Sequence, residues 1–219
     1  MSNQELYIEE VRNEQDLVTF IRFPWKIYQG DPYWVAPLVK DQLQKFSPHH
    51  PFRSHSEMIL FLAYRGEEVA GRITAIIDHS FIEYHREKTG FFGFFESIQD
   101  PQISGLLLSK AKDWLKGHGM EKMIGPMNPS TNDECGLLID GFNSSPRLMM
   151  PYNPVYYQAL LEGAALRKAK DLYAYFLDQS TFVAGRLNRI AAKLIRKEPR
   201  LRARPINLRR LDQELKIIK

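Results

Sequence analysis

One cysteine, Cys135, stands in 219 residues. That scarcity excludes an internal disulfide and a zinc site built on several thiolates. No apolar run approaches the roughly 20 residues a helix needs to cross a bilayer, and the first residues lack the basic, apolar and small-residue regions of a leader. A cytoplasmic protein without a membrane span is the expectation. Acids are scarce in one place only. From Arg186 to Arg210 ten basic residues meet a single acid, Glu198, although the whole chain carries a net charge of just +4. What is present is a globular composition, 44% hydrophobic and 12% aromatic, long enough for one large core or two small ones.

Periodicity sets out an alternation of strands and helices. A strand over Tyr7–Arg12 leads into a helix capped by Asn13, with Asp16 three residues on, and Pro24 ends or kinks it. A short amphipathic helix follows over Leu38–Phe46. Ile59–Tyr64 and Val69–Asp78, joined at Gly66, read as an antiparallel hairpin. Phe91–Glu96 is apolar in both registers, as in a central strand covered on both faces, and Gly93 within it marks a bulge or a close approach to the backbone. Asp100 caps the next helix with Pro101 at its first position. Its apolar stripe is Ile103, Leu107, Ala111 and Trp114, and Gly117 or Gly119 ends it. Met120–Gly125 is a strand, Pro154–Leu166 a helix, Lys170–Leu177 a strand and Arg204–Leu208 another.

Between Gly125 and Tyr157 lies a run too broken by Gly and Pro for a helix or ladder, yet too rich in Met, Leu, Phe and Tyr for a flexible linker. Ordered loops of this kind concentrate binding and chemistry. Its Asn128, Asn132, Glu134, Tyr152 and Asn153 are candidate substrate-binding residues; equally, such amides and carboxylates satisfy their own loop backbone. Glu96 is either a general base in a cleft or a strand-end carboxylate. Cys135 has no histidine in its loop to activate it and reads as a small core residue. His49, His50, His55 and Glu57 follow no shared helix or strand face, so no metal site is expected. Trp25, Tyr28, Tyr33 and Trp34 either line a cleft or pack a loop on the core. The basic stripe Arg186, Arg189, Lys193 and Lys197 reads as a solvated helix face, because the aromatics that single-strand nucleic-acid binding uses are missing beside it.

The element order, with the strings GFFGFFE, GPMNPSTNDECGLLIDGF and MMPYNPVYYQALLE, resembles a bacterial family of uncharacterised GNAT-like proteins with two tandem GNAT-like units. The resemblance implies an α/β (α+β) fold with a mixed, mostly antiparallel sheet flanked by helices and a splayed central pair of parallel strands. It implies a GNAT-like domain over 1–178, a basic linker helix over 179–203 and the start of a second unit over 204–219. It implies acyl transfer from acetyl-CoA or another acyl-CoA to a small-molecule amine, the second unit being a partner within a longer chain. Gly93, Phe95, Gln102 and Gly105 would hold the CoA, its pyrophosphate at a helix N-terminus. Leu107 replaces a small residue of that loop, and Asp100 brings a carboxylate there. Glu96 would be the base. The family's usual tyrosine is absent from Leu161–Leu166, leaving Tyr156 or Tyr157 to protonate the leaving thiolate. These departures support an alternative, a non-catalytic ligand-binding or scaffold unit. A nucleic-acid module resting on the basic tail ranks third.

Overall fold

Gly66 adopts a left-handed φ of 59°, a conformation glycine takes without steric cost, and so closes the hairpin of β2 (Ser56–Arg65) and β3 (Glu68–Asp78). In this computed structural model, which describes residues 5–176, 184–198, 200 and 204–218, that hairpin is the middle of a five-stranded sheet. β1 (Leu6–Glu10) pairs antiparallel with β2, and β4 (Thr89–Ser97) pairs antiparallel with β3. β5 (Lys122–Ile124) runs parallel to β4 over Thr89–Phe91 alone, after which the two strands separate. The fold is therefore mixed α/β with a mostly antiparallel sheet and one parallel pair that splays. This is the arrangement the GNAT resemblance implies.

Burial on both faces follows from period two. Phe61 and Ala63 join one buried cluster, while Leu62 between them joins another. On the first face lies α5 (Pro101–Gly117), capped as expected by Asp100, whose carboxylate accepts from the Gln102 N–H at 2.7 Å. Its Ile103, Leu107, Ala111 and Leu115 fill the core. On the second face α1 (Glu14–Arg22) inserts Phe20 against Leu62 and Phe94, with Phe46 of α3 (Val39–Phe46) beside them. Pro24 starts a separate turn, α2 (Pro24–Ile27), rather than continuing α1. The short helix α4 (His79–His85) links β3 to β4.

The bulge expected in the central strand is there. Arg72 faces Glu96 and Thr74 faces Gly93, so Phe94 and Phe95 oppose the single residue Ile73. Phe94 takes a φ of 47° to allow it. Past β5 the chain forms a small second ladder of β6 (Met127–Asn128) and β7 (Glu134–Cys135), and α6 occupies Tyr157–Gly163.

The chain divides into two compact units, one up to Leu172 and another from Tyr173. Two expected strands are corrected. Residues 170–176 form no ladder, and Leu172, Tyr173, Tyr175 and Phe176 stay exposed; aromatic composition alone makes no strand without a partner edge. Leu177 falls outside the described residues. Residues 204–207 are irregular too. There the Asn207 side chain accepts from the Arg209 N–H at 3.1 Å and bends the chain into a turn at Leu208–Arg210. In the second unit α7 spans Ala184–Lys197 and α8 spans Leu211–Ile218.

Candidate functional site

A charge in a buried strand requires a partner, and β3 carries one: Arg72, 6% exposed among apolar neighbours. Strand register sets Glu96 opposite it, with Arg72 Nη2 at 3.6 Å from Glu96 Oε1. Arg72 Nη1 donates to the Phe20 carbonyl at 2.8 Å, and its guanidinium lies 4.9 Å from the Phe20 ring centre. Two hydroxyls converge on the other carboxylate oxygen. Tyr157, first residue of α6, donates to Glu96 Oε2 at 2.6 Å, and Tyr28, just past α2, donates to the same oxygen at 3.0 Å. The Ser97 N–H donates to the Tyr157 hydroxyl at 2.9 Å, which orients its proton toward Glu96.

Burial raises the Glu96 carboxyl above its ordinary range, and Arg72 and the two phenols oppose that shift. Burial likewise pulls the Arg72 guanidinium down against the pull of Glu96. The Tyr28 and Tyr157 phenols are pushed well up, by burial first and then by the Glu96 charge. Tyr156 is pushed up to about 12 for the same two reasons. All three therefore stay protonated near neutrality and act as donors.

Of the expected catalytic residues, Glu96 and Tyr157 meet directly. Tyr156 is turned aside, its hydroxyl donating to the Ser97 carbonyl at 2.8 Å. Arg72 is not among the residues that the sequence singles out, and Tyr28 is there only as one aromatic of a loop. The arginine in an otherwise apolar strand was the available signal for the first; nothing local distinguishes Tyr28 from its aromatic neighbours. Its ring stacks on Trp34, with ring centres 4.8 Å apart, so it serves packing and the polar cluster together.

Among the expected substrate-binding residues, Asn153 is buried and fully engaged, pairing with both backbone groups of Leu138 and with the Pro154 carbonyl. The Tyr152 hydroxyl donates to Asp31 Oδ2 at 2.8 Å, and its carbonyl accepts from Tyr28 at 3.3 Å. Asn128 Oδ1 accepts from the Phe94 N–H at 2.6 Å, while its carbonyl accepts from Lys45 Nζ at 3.1 Å. Asn132 and Glu134 are exposed, Glu134 lying opposite Asn128 in the β6–β7 ladder. What approaches Gly93 is this same segment: a Cβ there would stand 1.6 Å from the Met127 carbonyl oxygen.

Each of the four residues implied for CoA is engaged within the chain itself. The Gly93 surface is covered by Met127, and the neighbouring bulge N–H is taken by Asn128. Phe95 is a core residue, 5.3 Å from the Tyr157 ring. The Gln102 N–H serves Asp100, which also pairs with Arg65. α5 begins one turn before Gly105, so the Gly105 N–H falls within the helical ladder rather than among the free first N–H groups. Among the described residues no three His, Cys, Asp or Glu side chains gather as a metal site; His55 pairs with Asp78 and His79 with Glu57. Cys135 is half-buried in β7, free of any disulfide.

No family model matches the chain. It is 33% identical over 222 residues to Protein YghO of Escherichia coli (strain K12), covering 100% of this chain and 56% of that protein. It is also 33% identical over 221 residues to the bacterial ceramide synthase of Caulobacter vibrioides (strain NA1000 / CB15N), covering 99% of this chain and 56% of that one. The chain thus spans about half the length of the curated relatives it matches. Among solved structures, AAC(6')-Iy in complex with a bisubstrate analog, CoA-S-monomethyl-acetylneamine, overlaps 80% of this chain and 99% of its own at a TM-score of 0.49 and 11% identity. The aminoglycoside acetyltransferase meta-AAC0020, from an uncultured soil metagenomic sample, overlaps 79% and 97% at 0.47 and 13%. Overlaps this loose carry no argument about activity. The fold class stands on the sheet itself.

Proposed function

We propose that this chain belongs to an N-acyltransferase that moves an acyl group from an acyl-CoA thioester to an amine, with Glu96 as the base. The observation that carries the reading is the burial of Glu96 beside Arg72, with two phenols on one of its oxygens. A carboxyl held there with a raised pKa accepts a proton from an amine more readily than one in water. The tyrosine donors fix Oε2, so Oε1 is the oxygen that takes the amine proton as nitrogen bonds to the acyl carbon and the C–S bond breaks. Tyr156 and Tyr157, both protonated near neutrality, are the candidate sources of a proton for the departing thiolate. The donor itself would be held by groups other than Gly93, Phe95, Gln102 and Gly105. In a longer chain, a second unit of the kind the resemblance implies would supply them.

The name of the Caulobacter relative supports one class of acceptor, because a ceramide is the amide of a long-chain amino alcohol. We therefore propose a long-chain amine in preference to a small polar one. The test is mass spectrometry of the full chain incubated with a long-chain acyl-CoA and a panel of amines. The expected result is an amide of the long-chain amino alcohol; free acid as the sole product, with every amine recovered unchanged, would overturn the proposal.

A second reading, a non-catalytic ligand-binding or scaffold unit, is favoured by the engagement of the bulge N–H with Asn128 and of the α5 N-terminus with Asp100. The same incubation separates the two.

A further inference from the structure

An amide side chain carries its acceptor and its donors on opposite sides, so fixing the acceptor fixes where the donors point. Asn128 is held in this way. Its Oδ1 accepts from the Phe94 N–H at 2.6 Å, and its backbone carbonyl accepts from Lys45 Nζ at 3.1 Å. A backbone N–H only donates, so the amide cannot be turned over without losing the first bond. The Asn128 Nδ2 donates to no group among the described residues, and it is not one of the buried polar atoms left without a partner. On a half-buried residue, it presents its protons to open space. The neighbouring acids do not take them. Asp133 accepts from Ser130 Oγ at 2.8 Å and lies 3.5 Å from Lys45 Nζ. Glu134, across the ladder from Asn128, is exposed, and its carboxylate accepts nothing from the Asn128 side chain.

Strand register sets this donor near the base. Arg72 and Thr74 lie two residues apart on β3, share a face, and oppose Glu96 and Gly93. A Cβ at Gly93 would meet Asn128 Oδ1 at 3.2 Å. The amide therefore stands over Gly93 on the face toward which Glu96 points, about 7 Å along the strand. Such a span holds the reacting atoms. A hydrogen bond of about 3 Å fits at each end, with an attacking nitrogen about 3 Å from the acyl carbon between them.

We infer that Asn128 is a catalytic residue of the proposed acyl transfer, its Nδ2 donating to the thioester carbonyl oxygen as negative charge develops there. The inference rests on the acyltransferase reading and adds the group that stabilises the intermediate. As the amine nitrogen bonds to the acyl carbon, the C=O electron pair moves onto oxygen and the amine proton passes to Glu96. The pair returns as the C–S bond breaks, and the thiolate gains one proton for the one that Glu96 received. Nδ2 keeps its own protons throughout. The Phe94 N–H, by polarising the amide through Oδ1, makes Nδ2 a stronger donor.

The test is Asn128→Asp, which keeps an oxygen for the Phe94 N–H and has no proton to donate near neutrality. Its melting temperature should lie near the parent's. With palmitoyl-CoA and sphinganine, kcat should fall roughly 100-fold or more while KM for the thioester stays near the parent's, since the bond strengthens only in the transition state. Should that chain melt early, Asn128→Ala, read per folded molecule, gives the same comparison. A folded variant within about a factor of two of the parent's kcat, or a loss confined to KM, would overturn the assignment. The carbonyl stretch of palmitoyl-CoA bound to chains that also carry Glu96→Gln is read without turnover. It should lie at lower frequency with Asn128 in place than with Asn128→Asp, and equal frequencies would overturn the donor. Amide formed equally by parent and variant sinks the Asn128 assignment alone. A lowered stretch with no amide formed sinks the acyltransferase reading alone, and a parent that neither lowers the stretch nor forms amide sinks both.

Discussion

The Tyr157 hydroxyl sits 2.6 Å from Glu96 Oε2 while accepting the Ser97 N–H at 2.9 Å, which ties the start of α6 to the end of β4 through one phenol. Removing it strands the buried Ser97 N–H and leaves Glu96 Oε2 with Tyr28 as its remaining donor. Tyr157→Phe should lower stability by about 1–3 kcal/mol, the usual cost of leaving such a group unpaired. Urea unfolding of the two chains checks this, and a variant as stable as the parent would show the bonds to be incidental.

Glu96 holds its proton more tightly in the folded chain than in the unfolded one, because burial raises its pKa. The stability it contributes is therefore fully present below the ordinary carboxylate range. It is lost as pH rises from there through the raised folded value. Melting temperatures across that window should fall more steeply for the parent than for Glu96→Gln. Parallel curves for the two chains would contradict a raised pKa.

Gly93 and Gly90 make a matched pair of tests on one strand. A Cβ at Gly90 meets the Leu115 Cδ2 atom at 2.4 Å, the end of a side chain that can rotate. One at Gly93 meets the Met127 backbone carbonyl at 1.6 Å. Gly93→Ala should cost about 3 kcal/mol or more, and Gly90→Ala less. Denaturant midpoints rank them, and the opposite order would mean that β6 does not lie against β4.

Asn128 should be worth more to the fold than its exposed loop neighbour Asn132. Its side chain takes the N–H of Phe94 in a bulge whose φ of 47° is itself unfavourable. Asn128→Ala should destabilise by about 1–3 kcal/mol, and Asn132→Ala by well under 1 kcal/mol. Equal effects in thermal melts would refute the assignment.

Local chemistry made much of this legible in the sequence. The Asn13 and Asp100 caps, the Gly66 hairpin and the bulge at Gly93 each follow from a few adjacent residues, and all formed. Glu96 and Tyr157 could be named as candidates but not joined, since their contact bridges 61 positions. Tyr28 and Arg72 reach the same carboxylate from 68 and 24 positions away, set by strand register and helix placement that no local pattern encodes. Gly93 signalled that something approaches closely, without revealing that it is the chain's own Met127 carbonyl. The segments 170–176 and 204–207 read as strands and are not, because strand-like composition is silent on whether a partner edge exists.

The central claim is that Glu96 takes the amine proton. The most direct test is the rate of amide formation by Glu96→Gln against the parent, with both chains confirmed folded. Loss of a positioned base predicts a fall of roughly 100-fold or more. A variant that forms amide within about a factor of two of the parent, below any general-base contribution, would contradict the account and leave Glu96 as a structural tie between Arg72, Tyr28 and Tyr157.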